Sequence, residues 1–291
     1  VSGLDPQTRL SPAPAGPARY GRARRPVGAT PASSLVRRTW VQILVGGLIL
    51  WGGLTWATIQ TGNINLVPSV IVLGAFLGPV AFVAYVYERA REVPLPTLLV
   101  CFITGGVLGV TGASVLEYRT MIDYGALPTL AIGLIEETCK LLVPLAIFML
   151  WRYRREADGL LFGVASGMGF AAFESMGYGL TALFLSHGQI DQVEKLLFVR
   201  GMLAPAGHAA WTGLTCATLW WARERPGVAP KLAVVAAFVS VVFLHALWDA
   251  ATSVYVQLAV GAVSIALLAW RLRVAGRELD ASAAERQMAC S

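Results

Sequence analysis

The sequence predicts an all-α protein, a polytopic bundle of about eight transmembrane helices with both termini on the inner side. Three observations predict it. The 291 residues are 56% hydrophobic and only 14% charged, whereas soluble domains sit nearer a quarter charged. Eight apolar stretches reach the roughly 18–25 residues that a helix needs to cross a bilayer. The basic residues between those stretches alternate in number from one side to the other, as membrane topology demands.

In chain order, residues 1–38 are rich in Pro, Ala, Gly and Arg without apolar periodicity, and are expected to form a disordered basic cytoplasmic tail. The transmembrane domain is expected over 39–271, with spans at Trp40–Ile59, Val67–Tyr87, Thr97–Leu116, Ala126–Leu150, Gly159–Leu185, Met202–Trp221, Leu232–Ala251 and Val254–Trp270. The first run has no small-residue cleavage site after it and is long enough to stay as a span rather than act as a secretory signal. A short polar cytoplasmic tail is expected over 272–291. No internal repeat or soluble domain is visible.

With the N-terminus inside, the inner segments carry 7, 2, 3, 3 and 4 Lys or Arg residues and the outer connections 0, 1, 2 and 0. The one remaining base, Lys140, lies within a span. The net charge of +6 therefore follows from topology, and no nucleic-acid partner is expected. Cys101, Cys139 and Cys216 fall inside spans as small apolar packers and Cys290 in the tail, with no zinc or redox spacing among them.

Ionisable side chains well inside spans are few: Glu136, Glu137, Lys140, Glu174, His208, His245 and Asp249. Charge at the bilayer centre costs about 2.5–3.5 kcal/mol per residue on insertion scales, so such groups face the protein interior and act there. The first three spans carry none of them and spans four to seven carry all. Counted from the outer ends of their spans at 1.5 Å per residue, they spread over depths of roughly 3–17 Å. Four helices can thus converge on one polar pocket opening to the extracytoplasmic side.

Helical spacing organises the set. Lys140 is four residues from Glu136 and three from Glu137, so either acid can pair with it. Adjacent residues point about 100° apart, so the two acids are not expected to face one spot equally. Phe170, Glu174 and Tyr178 form a stripe at spacing four, backed by Gly163 and Gly167, which allow close helix contact. His245 and Asp249 are also four apart, so the aspartate can orient the imidazole or share a ligand position with it. Each feature has a bland counterpart: a structural ion pair, an interfacial histidine at 208, a polar helix end around His245. Phe170, Tyr178, Trp211 and Trp248 read as packing or interface aromatics. The set on four successive spans is what points to function.

EETCK fits an EExxK motif, FAAFESMGY a following FxxxExxxY motif, and GHAAW and HALWD supply two later histidine motifs. In this order on successive spans, over roughly residues 126–255, they resemble the PrsW family of intramembrane proteases, within the superfamily of CAAX prenyl endopeptidases and bacteriocin-immunity-type proteins. The resemblance implies proteolysis of a membrane-anchored substrate in a bacterial cell membrane. The substrate it implies is an anti-sigma factor, cut first on its extracytoplasmic side in a cell-envelope stress response. By motif position it implies that Glu136 and Glu137 are the essential acidic pair, Lys140 their basic companion, Glu174 the acid of the second motif, and His208 and His245 the later histidines. Asp249 stands where relatives carry Asn or Asp. CAAX endopeptidases end the second motif in His, so Glu174 argues against prenyl-protein processing.

Peptide hydrolysis needs an activated water, an oxyanion stabiliser and a proton donor for the leaving amine. Glu137 or Glu136 accepts the water's proton, its charge held by Lys140. In a metal-free version, His208 and Glu174 position the water and His245 with Asp249 stabilises the oxyanion. In a metalloprotease version, Glu174, His208 and His245 bind zinc, with Asp249 as a fourth ligand or hydrogen-bonded behind it. Two other classes share these residues: a proton- or ion-coupled transporter, which the absence of repeats disfavours, and a non-catalytic scaffold or immunity protein. Loss of cleavage without loss of fold on mutating the acids separates a protease from both.

Overall fold

The computed structural model describes residues 38–90 and 93–288, with side chains through residue 277. All but the last residue of the expected N-terminal tail lies outside the described residues. The regular elements among the described residues are helical: α1 Thr39–Thr61, α2 Val67–Tyr87, α3 Leu95–Tyr124, α4 Thr129–Lys140, α5 Leu142–Met149, α6 Glu156–Leu185, α7 Ile190–Leu203, α8 His208–Arg223, α9 Val228–Ala250 and α10 Val254–Met288.

Glycine and proline set the boundaries. Gly62 and Gly125 adopt left-handed conformations and close α1 and α3, where a Cβ would be strained. Prolines stand in the first turns of α2 and α3, where no backbone N–H is needed. Among the described residues, six helices are long and apolar enough to cross a membrane: α1, α2 with its preceding turn, α3, α6, α9 and the first 24 residues of α10. Ile49, Leu50 and Trp56 of α1 and Val239 and Phe243 of α9 are exposed, as the lipid-facing surface of a multi-pass membrane protein requires.

The other two expected spans take different forms. Ala126–Leu150 is broken at Leu141 into α4 and α5. The cause lies three residues on: Pro144 has no N–H to donate to the Lys140 carbonyl. Ser166 of α6 donates to that carbonyl instead, at 2.6 Å. The sixth span begins six residues later than expected, because a separate helix, α7, precedes α8. Residues 186–201, expected to be an outer connection, largely fold into this α7. At the C-terminus the helix does not stop at Trp270 but runs on to Met288.

At the centre stands α6. Every residue from Glu156 to Ala172 is buried, the mark of a helix enclosed on all sides. Small residues allow this enclosure. A Cβ at Gly163 would fall 2.5 Å from the Thr212 carbonyl, and one at Gly167 would run into that of His208, so α8 packs backbone to backbone on α6. On another side Gly105 of α3 meets Ser166. At one end, Arg271 of α10 binds Glu156 at 2.7 Å and Thr218 at 2.8 Å, tying α10 to α6 and α8. Arg223 of α8 reaches the carbonyls of Phe148 and Tyr153. These ties hold α6, α8 and α10 in register; Ser166 joins α6 to the end of α4, and Gly133 of α4 packs against the Val242 carbonyl of α9.

Candidate active site

All seven ionisable residues picked out from the sequence come together, in two adjoining groups. The first is built on Lys140, whose side chain is fully buried at the last position of α4. Its Nζ donates to Glu137 Oε1 at 2.7 Å and to Glu136 Oε2 at 3.0 Å. Both acids serve one centre, as their spacings of four and three from Lys140 allow, because the lysine reaches back between them. Below it, Nζ lies 4.3 Å from the centroid of the Phe170 ring, a cation–π contact that desolvation strengthens.

Histidine 245 on α9 bridges the acids from the opposite side. Its Nδ1 is 2.9 Å from Glu137 Oε1. An ionised carboxylate only accepts, so Nδ1 carries the proton. Its Nε2 faces Asp249 Oδ2 at 3.3 Å and Glu136 Oε2 at 3.6 Å. Thr212 of α8 adds a contact to Glu137 Oε2 at 3.4 Å. Trp211 stacks on the His245 ring, centroids 4.6 Å apart, and its Nε1 donates to Ser264 of α10 at 3.0 Å.

The two acids are therefore not equivalent. Glu137 is 2% exposed, with both oxygens engaged by Lys140, His245 and Thr212. Glu136 is 8% exposed and accepts one short bond, from Lys140. Open acceptor capacity remains on Glu136.

The second group is centred on Glu174 of α6. Its Oε2 lies 2.8 Å from Arg200 Nη2 and 3.4 Å from His208 Nε2. His208 opens α8, its ring stacked on Phe170 at 5.8 Å and edge-on to His245 at 6.3 Å between centroids. Its Nδ1 is buried without a hydrogen-bond partner. Phe170 thus lies between the groups, touching Lys140 and His208, and Tyr178 lies 4.1 Å under the Arg200 guanidinium. Phe170, Tyr178 and Trp211 do more than pack: each holds a cation or an imidazole of the cluster.

Two residues escaped the sequence reading. Arg200 was counted as a loop base; its signal was a charged residue on the apolar stripe of Val193 and Leu197. Glu117 stood one residue beyond the expected end of the third span. Ala113, one turn earlier, packs with Cys139 and Phe170. Glu117 follows on the same face, within electrostatic reach of Glu136, Lys140, His245 and Asp249. One of its carboxylate oxygens is buried without a hydrogen-bond partner.

The donors match zinc in kind, two imidazoles among carboxylates. Ligands about 2.0–2.1 Å from a tetrahedral zinc sit roughly 3.4 Å from one another, close to the spacings of His208 with Glu174 and His245 with Asp249. Among the described residues, no three His, Cys, Asp or Glu side chains are arranged to hold a metal ion as they stand.

Residues 93–273 match the family model described as PrsW family intramembrane metalloprotease. No curated protein and no solved structure matches the chain. The match covers more than half of the chain, from the turn before α3 into α10. It takes in α3, which lay outside the resemblance drawn from the motifs, and includes Glu117, Arg200 and all seven residues above. The chain belongs to the PrsW family of intramembrane metalloproteases.

Proposed function

We propose that the site hydrolyses a peptide bond of a membrane-anchored protein near its extracytoplasmic end, with Glu136 as the group that takes the proton of the attacking water. The observation that carries this reading is the asymmetry of the acidic pair. Glu136 accepts one short bond and keeps lone pairs free beside His245, while Glu137 already meets Lys140, His245 and Thr212. A general base must be able to meet the water it deprotonates.

The remaining groups take roles that follow from their partners. Lys140 keeps the carboxylates ionised in a low-dielectric setting. Glu137 orients the His245 ring through its Nδ1–H. In the metal-free site Nε2 is protonated as well, facing Asp249, and this Nε2–H donates to the developing oxyanion. Glu174 and His208 position the water. The family's metal would be held by Glu174, His208 and His245, with Asp249 behind or beside them, and bound there it would polarise the scissile carbonyl. The stacked Trp211 and Phe170 hold the imidazoles in place and exclude lipid.

The loop charges support an orientation with the cluster in the outer half of a bacterial cell membrane. An anti-sigma factor, with one membrane span and a folded outer domain, is the substrate the family resemblance favours. The test is reconstitution in proteoliposomes with single-pass anti-sigma factors and mass mapping of the products. The reading expects one cut close to the outer end of the substrate's span, and none in an unrelated single-pass protein. A cut on the inner side, or none in any membrane-anchored protein offered, would overturn it.

A further inference from the structure

The second acid of the site, Glu174, has a counter-charge that comes from outside the motif helices. Arg200 lies near the end of α7 and its guanidinium meets one turn of α6 at three points. Nη2 is 2.8 Å from Glu174 Oε2, Nε donates to Ser175 Oγ at 2.9 Å, and the ring of Tyr178 lies 4.1 Å beneath. Planar guanidinium suits this arrangement and ammonium does not, since an N–H donated to Ser175, a charge contact to Glu174 and a stacking face are used together. Ser175 is buried and the Arg200 and Glu174 side chains are 23% and 19% exposed.

The backbone under Arg200 is fixed by packing. Val193 and Leu197, on the inner face of α7, are buried in a cluster with Trp51, Val70 and Ile71. Beside Arg200, Gly201 meets Gly78 of α2 so closely that a Cβ at Gly78 would fall 2.6 Å from the Gly201 carbonyl. Most exposed ion pairs contribute little because two free side chains must be ordered to make them. Here the ordering is done by the docking of α7, and the guanidinium is pre-organised toward the same carboxylate oxygen that His208 Nε2 faces at 3.4 Å.

We infer that Arg200 is a positioning residue of the site, which holds the Glu174 carboxylate in line with His208 and so couples the docked helix α7 to hydrolysis. The inference rests on the reading of the cluster as a peptidase site. Without the guanidinium, the carboxylate loses its nearest cation and is free to rotate away from His208. Misplacement of a catalytic group by about 1 Å costs on the order of 100-fold in rate.

The experiment is steady-state cleavage of a single-pass substrate in proteoliposomes by the full chain and its variants. Arg200→Ala should lower kcat by about 100-fold with KM within about 3-fold, and its unfolding temperature in detergent should stay near that of the parent. Guanidinium ion at tens of millimolar should restore at least a tenth of the lost rate, urea none, and Arg200→Lys should fall between parent and Arg200→Ala. Cleavage by Arg200→Ala within about 3-fold of the parent overturns the inference, as does loss that neither guanidinium nor Lys repairs. If Arg200→Ala does not fold, Arg200→Lys and Ser175→Ala are read instead, and a parental kcat in both overturns it. Glu136→Gln, run beside them, should be slower by about 100-fold or more with or without guanidinium; absence of cleavage by the parent chain itself would mean that the peptidase reading has failed rather than the role of Arg200.

Discussion

His245 Nδ1 lies 2.9 Å from Glu137 Oε1 although 108 residues separate the two in sequence. The same oxygen accepts from Lys140 at 2.7 Å. One carboxylate oxygen thus joins the last turn of α4 to the last turns of α9, with α8 reaching its companion oxygen through Thr212. Glu137 is the point where three helices meet, which makes it a structural residue as well as a member of the candidate site.

Replacing it therefore has a thermodynamic signature. Glu137→Ala leaves Lys140, fully buried, with a single carboxylate and His245 without its orienting partner. Removing one member of a buried charge pair costs about 3–5 kcal/mol. The expected outcome is a clear drop in unfolding temperature together with loss of cleavage. Glu136→Gln, which keeps a hydrogen-bond acceptor toward Lys140, should lower the unfolding temperature much less.

Trp211 supports His245 by stacking at 4.6 Å and is itself anchored by Ser264. Trp211→Phe keeps a ring and loses the hydrogen bond, a change of about 0.5–1.5 kcal/mol. Trp211→Ala frees the imidazole and opens a cavity costing about 3–5 kcal/mol. Cleavage rates should fall in the order parent, Phe, Ala. An Ala variant as fast as the Phe variant would show that the stack does not position His245.

The break at Leu141 yields a double-mutant test. Ser166 supplies the donor that Pro144 cannot give to the Lys140 carbonyl. Ser166→Ala should cost about 1–3 kcal/mol, the cost of an orphaned buried carbonyl. In a Pro144→Ala background the new N–H of residue 144 can take that carbonyl, so the same substitution should cost clearly less. Equal costs in both backgrounds, measured by thermal unfolding, would remove this account of the break.

Particular residues show what was legible in the sequence and what was not. Hydropathy placed α2 to the residue at both ends, because bilayer thickness imposes a length on an apolar run. Seven charged positions stood out because charge is costly in lipid. Leu141 was invisible because hydropathy is blind to which carbonyl a proline leaves unpaired. The spacings of four and three let either acid pair with Lys140, but that both do so at once depends on side-chain reach, which spacing alone does not give. Arg200 pairs with Glu174 across 26 residues and a turn, with no helical period to link them, and α7 was too polar to register as a membrane helix. The partnership of Glu137 with His245 exists only in the tertiary fold.

Metal removal tests the chemistry that the family's description implies. Purified protein stripped by a chelator should lose cleavage and regain it with zinc. The metal-free form should also unfold at a lower temperature, since a ligand bound only by the folded state stabilises it. Full activity in a preparation shown to hold no metal would assign the reaction to the carboxylates and histidines alone.

The central claim is that Glu136 takes the proton from water. It is tested most directly by single-turnover cleavage of a single-pass substrate by Glu136→Gln in proteoliposomes, alongside a measured unfolding temperature. The account predicts a folded protein whose rate is lower by about 100- to 10,000-fold, the contribution of general base catalysis. A folded Glu136→Gln variant cleaving within about 3-fold of the parent would contradict it.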